Sequence, residues 1–249
     1  ALCIKLLERG EQVIGIDNHF EYYDQALKET RLARHANHKN YSDFRIELAD
    51  RSAIEQVFTD LKPQGVVNPT ALAGVRYSIK NPEVYFKNNL LAFFNMLEAC
   101  KNFKIKHLLS ASSSSVYGAN KKIPFSVKDI ADHPIQFYAA TKRANELMAH
   151  SYSCVYKMNC TGVRFFTVYG PWGRPDMAMY IFTRKILARE PILVFNNGNM
   201  KRDFTYIDDI ISGTRSAMEK NYSCEVFNLG NHKSENLMDM IAIIENNLG

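Results

Sequence analysis

The chain has 249 residues, 46% hydrophobic and 23% charged, which are the proportions of a globular protein of one large domain or a little more. Its 31 basic and 26 acidic residues are spread along the chain, and the longest basic runs are pairs such as Lys121-Lys122 and Lys201-Arg202. That argues against a nucleic-acid tract and fits a small anionic ligand. No apolar run approaches the roughly 18 residues of a membrane span. The five cysteines (Cys3, Cys100, Cys154, Cys160, Cys224) form no CxxC pair. This argues against a disulfide framework or a bound metal and leads us to expect reduced thiols in the cytoplasm.

In chain order, ALCIKLLERG reads as an amphipathic helix closed by Gly10. The chain opens at Ala1 inside that helix and closes at ENNLG inside another helical pattern, so both ends look cut. QVIGID (12–17) is the first predicted strand, and FRIELA (44–49) the second. SAIEQVFTDL is helical and leads to the strand GVVN (65–68). NPEVYFKNNLLAFFNMLEACKNF, with Pro82 in its first turn, is predicted as one long helix. KHLLSAS (106–112), the helix YAATKRANELMAHSYSCVYK and the strand TGVRFFTV (161–168) follow. Alternating strands and helices predict an α/β protein with a doubly wound, Rossmann-type parallel sheet over residues 1–170.

After Gly170 the alternation breaks down. A helix (YIFTRKILARE), a strand (ILVF), a loop (NNGNMKRDFTY), a helix (DDIISGTRSAMEK), a strand (EVFNLG) and a last helix predict a smaller α/β lobe over residues 171–249, interleaved with the sheet at its carboxyl edge. Ligands bind at that edge in such folds.

The candidate site residues gather at predicted strand ends. Asp17 ends the first strand, where an acid can hold two ribose hydroxyls or close a turn. Asp50 follows the second, placed to face an adenine or to cap the next helix. Asn88 and Asn89 lie mid-helix, and either one needs a partner if it faces inward. Ser112–Ser115 end a strand, as sugar ligands or as a polar turn. Tyr138 and Lys142 stand four residues apart and share a helix face. A nearby ammonium favours a phenolate, and a phenolate can take a hydroxyl proton.

Asp17, SSSSVYG, YAATK and RFFTVYGP occur in the order and spacing of the extended short-chain dehydrogenase/reductase family. The chain resembles that family along essentially its whole length. LLERGEQVIGIDN, AGVRYSIKNPEVY, DHPIQFYAATKRANELMAHSYS, RFFTVYGPWGRPDMA and KRDFTYIDDI are most similar to nucleotide-sugar 4-epimerases acting on UDP-glucuronate. The resemblance implies NAD as cofactor, Tyr138 as base, Lys142 as its partner and a ligand of the nicotinamide ribose, and Ser113 as the catalytic serine. It implies Asp17 and Asp50 at the adenosine, Asn89 supporting the site, and Phe165 and Val168 along the cofactor. Ser114, Ser115 and Thr167 would lie beside the sugar, Arg174 would face a sugar carboxylate, and Arg202 would hold the diphosphate. It further implies a homodimer through a four-helix interface, with Tyr85, Phe86 and Phe93 as contacts or as core. A first central strand with a glycine-rich turn, and a C-terminal segment, would be missing. One departure is NPTALA (68–73), where Pro69 removes a backbone donor. The alternatives are a 4-epimerase for a neutral UDP-sugar and a non-catalytic binding module. A 4,6-dehydratase would carry an acidic pair where Ser114 and Ser115 stand.

Overall fold

The structure is a computed structural model and describes residues 1–248. In the first part of the chain, α1 (Leu2–Glu8), β1 (Val13–Ile16), α2 (Gln25–Ala33), β2 (Tyr41–Phe44), α3 (Arg51–Leu61) and β3 (Gly65–Asn68) alternate. Then come α4 (Val75–Lys80), α5 (Pro82–Tyr85), a π-helical turn over Phe86–Leu91, α6 (Ala92–Asn102) and β4 (His107–Ser113). A 3₁₀ turn at Ser114–Tyr117 precedes α7 (Phe137–Tyr156) and β5 (Cys160–Phe165). The rest is β6 (Thr167–Tyr169), α8 (Ala178–Leu187), β7 (Lys201–Arg202), β8 (Phe204–Tyr206), α9 (Ile207–Lys220), β9 (Cys224–Leu229), β10 (Glu235–Asn236) and α10 (Leu237–Leu248).

The strands β3, β4, β5 and β9 form a parallel sheet in the order β3-β4-β5-β9. β1 and β2 make a separate parallel pair, as do β6 and β8, while β7 and β10 pair antiparallel. Side chains alternate across a strand, so neighbouring residues report opposite faces. Leu108 and Cys160 join Phe93, Met96 and Leu97 of α6 and Ala149 of α7 in one buried cluster. Leu109 and Val163 join Ala217 of α9 in another. The sheet is therefore covered on both sides, which explains why β4 is buried along nearly its whole length. Each large apolar side chain so buried contributes about 1.5–3 kcal/mol. A third cluster, Phe182 with Leu237, Met240, Ile241 and Ile244, packs α8 on α10 and forms the core of the C-terminal lobe. β9 returns from that lobe to the main sheet, so the two parts interleave. Gly249, the last residue assigned to the lobe, lies outside the described residues.

Several elements differ from the sequence reading. The second strand is Tyr41–Phe44, not FRIELA. β1 is only four residues long and its last residue, Ile16, already pairs with Phe44, so the chain beyond has no edge to join. The run TGVRFFTV splits after Phe165, because Phe166 bonds to Leu229 and Thr167 to Asp203, and the backbone changes partner there. ILVF is not a strand; Ile192 and Val194 pack on the α8–α10 core without a neighbouring strand. α2 and α4 lay outside the sequence reading. NPEVYFKNNLLAFFNMLEACKNF is helical throughout but passes through the π-helical turn. No described helix is long and apolar enough to cross a membrane.

Candidate active site

The parallel strands β3, β4 and β5 end at Asn68, Ser113 and Phe165, and the site is built on that edge. Pro69 follows β3, and Asn68 closes the turn over it by accepting from the Thr70 amide at 3.1 Å. The missing proline donor is thus absorbed by an Asn-Pro-Thr turn. Two residues on, the Asn89 side chain grips Leu72 from both directions: its oxygen accepts the Leu72 amide at 2.9 Å and its nitrogen donates to the Leu72 carbonyl at 3.1 Å. The same nitrogen donates to Thr141 Oγ1 at 3.1 Å. Asn89 is buried inside the π-helical turn, a local widening that recurs at functional sites. Its amide is fully used in tying the loop after β3 to α7, so it positions the site. Asn88, by contrast, bonds back within its own helix to Val84.

α7 presents one face to this edge. Tyr138, Lys142, Asn145, Glu146, Ala149 and Ser153 are all buried, at the spacing of a single helical stripe. The Tyr138 amide donates to Ser78 Oγ at 3.2 Å, which seats the start of α7 on α4. Its ring meets Tyr85 edge-on, with centroids 6.3 Å apart. Burial raises the Tyr138 pKa, while a hydrogen bond from Ser113 and the charge of Arg174 pull it back down. Ser113 suits that part, because its oxygen already accepts from the amide and the hydroxyl of Ser115, at 3.2 and 3.0 Å. Its own proton is then free for the phenolate. Ser114 and Ser115 sit in the following 3₁₀ turn.

Lys142 is buried and donates to the Ala111 carbonyl at 2.7 Å and the Thr70 carbonyl at 3.4 Å. Burial pushes its pKa down to about 8, and Glu146 opposes that. The charge of Arg174 also favours the Tyr138 phenolate.

Arg174 joins the site from the loop after β6. Its Nε donates to Asp176 Oδ1 at 3.0 Å and its Nη2 to Oδ2, and the Tyr22 hydroxyl donates to the same Oδ2 at 3.0 Å. Both arginine bonds use one side of the guanidinium, and Nη1 has no hydrogen-bond partner among the described residues. The loop is anchored by α2: Arg31 donates to the Gly173 carbonyl at 2.9 Å and Arg34 stacks over Trp172.

The remaining residues are placed as follows. Asp17, after β1, keeps an exposed carboxylate that accepts the His19 amide. Asp50 caps α3, accepting from Ser52 Oγ at 2.7 Å and the Ala53 amide at 3.2 Å, which is the cap reading of its two alternatives. Phe165 packs against Leu109 and Val163, and Thr167 and Val168 lie half-buried on β6. Arg202 is exposed on β7, donates to the Lys201 carbonyl, and shares no hydrogen bond with the Tyr138 cluster.

Glu146, Arg164, Tyr22 and Asp176 escaped the sequence reading. One signal was present: Arg164 is a charge in the middle of an apolar strand and needs a buried partner.

The family model described as NAD dependent epimerase/dehydratase family matches residues 1–230. Protein CapI of Staphylococcus aureus is 46% identical across all of this chain and 79% of its own length. UDP-glucuronate 4-epimerase 3 of Arabidopsis thaliana is 43% identical across 96% of this chain and 60% of its own. Among solved structures, UDP-glucuronic acid 4-epimerase from Bacillus cereus, in complex with UDP-glucuronic acid and NAD, superposes with a TM-score of 0.91 at 31% identity, over 98% of this chain and 78% of that one.

Proposed function

The chain belongs to the NAD dependent epimerase/dehydratase family, and from that premise we propose that it interconverts UDP-glucuronate and UDP-galacturonate. It is an NAD-dependent nucleotide-sugar epimerase; the choice of sugar and the residue roles below are our reading. The observation that carries the choice is Arg174, a guanidinium beside the Tyr138 phenol with one donor edge open. A guanidinium binds a carboxylate through paired hydrogen bonds and has no equivalent partner in a hydroxymethyl group.

The residues along the sheet edge fit NAD. Asp17 offers an exposed acceptor for ribose hydroxyls, and Lys142 a buried donor at the carboxyl end of β4. When bound, NAD supplies the acceptor and donor of a hydride. Tyr138, as phenolate, takes the proton of the sugar 4-hydroxyl and later returns it. Ser113 donates first to the phenolate and then to the 4-keto oxygen. Inversion would require the 4-keto sugar to turn within the site between the two hydride transfers that bound NAD would supply. Asn89 keeps the loop after β3 and α7 in register throughout. Arg202, exposed on β7, would hold the diphosphate.

The test is Arg174→Ala, assayed on UDP-glucuronate and UDP-glucose side by side. Loss of a charge-assisted pair costs about 1.5–3 kcal/mol. kcat/KM for UDP-glucuronate should therefore fall by roughly tenfold to over a hundredfold, with little change for UDP-glucose. An unchanged kcat/KM for UDP-glucuronate contradicts the reading.

A homodimer is also proposed. Phe86 and Phe94 on the long helical run, and Leu147 and Val155 on α7, are exposed apolar residues on two packed helices. Tyr85 and Phe93 are buried within the subunit and belong to its core.

A further inference from the structure

A buried ionic knot lies one helical turn beyond Lys142. The Glu146 carboxylate accepts Arg164 Nε and Nη2, both at 2.8 Å, Ser112 Oγ at 2.6 Å and Arg143 Nη1 at 2.8 Å. The Glu146 and Arg164 side chains are each only 3% exposed. The knot joins three elements: α7 through Glu146, β4 through Ser112, and β5 through Arg164. Ser112 is flanked by the two residues that serve the reaction, Ala111, whose carbonyl receives the Lys142 ammonium, and Ser113. Apolar replacement of such a buried pair is often neutral or stabilising, so the knot is weak evidence of a stabilising role.

We propose that Glu146 is a positioning residue for Lys142: it locks α7 onto the end of β4 and places a buried carboxylate one helical turn from the lysine ammonium. The surroundings of Lys142 bear this out. Its hydrogen-bond partners are two neutral carbonyls, from β4 and from the turn after β3. Tyr138 stands one turn before it on α7 and is neutral until it gives up its proton. Arg164 of β5 and Arg143 of α7 both bond to Glu146. Arg174 bonds to Asp176. Among these groups Glu146 carries the negative charge, and it opposes the effect of burial on Lys142.

The experiment is a pH titration of Lys142 followed by NMR of protein carrying ¹³C-labelled lysine, with the resonance assigned from Lys142→Arg. It needs neither cofactor nor turnover, so it stands apart from the proposed substrate. Glu146→Gln keeps the shape and removes the charge, and its Lys142 should titrate at least half a pH unit lower than in the unaltered protein. Glu146→Gln combined with Arg164→Gln removes both buried charges and guards against misfolding from a stranded guanidinium. It should show a downward shift too, smaller because the positive charge of Arg164 goes with the negative charge of Glu146. In whichever of these variants folds, the alkaline limb of the activity profile should move down with it. A Lys142 titration unchanged in a folded variant overturns the proposal, because a purely structural knot would lower activity without moving that value.

Discussion

Tyr138 is buried, and burial alone would keep its phenol protonated. The arrangement answers this with a hydroxyl donor, Ser113, and a cation, Arg174. Tyr138→Phe removes the proposed base while keeping the ring packed against Tyr85. Turnover should drop by about a hundredfold to ten-thousandfold with KM little changed, as read from steady-state kinetics. Lys142 sets the alkaline behaviour. Its pKa is lowered to about 8 in the folded protein from 10.5, so between those values the unfolded chain binds more protons. This group therefore makes stability rise with pH over that window. Activity, which needs the ammonium, should fall over the same window. Urea midpoints and initial rates measured across it check the opposed slopes, and parallel slopes contradict them. At this scale the sequence was informative where a motif has fixed spacing. Tyr138, Lys142 and Ser113 could be singled out as candidates because they stand at set distances in one stretch. Asp176 and Tyr22 could not, because Tyr22 reaches Asp176 only through the tertiary fold.

At the scale of elements, two devices hold the site: the π-helical turn around Asn89 and the face of α7. Asn89→Ala would leave the Leu72 amide and carbonyl without their partners in a buried place. An unsatisfied buried polar group costs about 1–3 kcal/mol. The variant should unfold at lower urea by that amount and lose turnover more than affinity; a full loss of substrate binding with intact stability would point to direct cofactor contact instead. Glu146→Ala strands a buried guanidinium, for which about 3–5 kcal/mol of destabilisation is expected in the same measurement. Periodicity located α1, α3, α5, α6 and α7 of the first part, though not α2 or α4, and all four strands of the main sheet, because those segments carry continuous apolar patterns over their own length. It failed where pairing decides. FRIELA alternates like a strand but has no edge beside it, and TGVRFFTV is one apolar run that serves two sheets. The widening at Asn89 leaves no trace in the hydrophobic pattern. α2, with no buried residue, is held by its cap and by its grip on the Arg174 loop.

At the scale of the whole molecule, a sheet covered on both faces collects at its carboxyl edge a tyrosine phenol, a buried lysine and an arginine with one free edge. The alternation of strands and helices made the main layers legible, whereas the return of β9 to the sheet after the C-terminal lobe begins shows why a simple boundary after residue 170 divides the sequence better than the fold. For assembly, Phe86→Asp combined with Leu147→Asp should shift a dimer to a monomer in sedimentation equilibrium; a chain that is monomeric without substitution removes the proposed interface. The central claim is that this edge epimerises a carboxylate-bearing UDP-sugar. Its most direct test is proton NMR of the chain with NAD and either UDP-glucuronate or UDP-glucose. The account predicts UDP-galacturonate from the first, and from the second UDP-galactose only at a rate roughly tenfold to over a hundredfold lower. UDP-galactose from UDP-glucose with UDP-glucuronate untouched, or no conversion of either sugar, would contradict it.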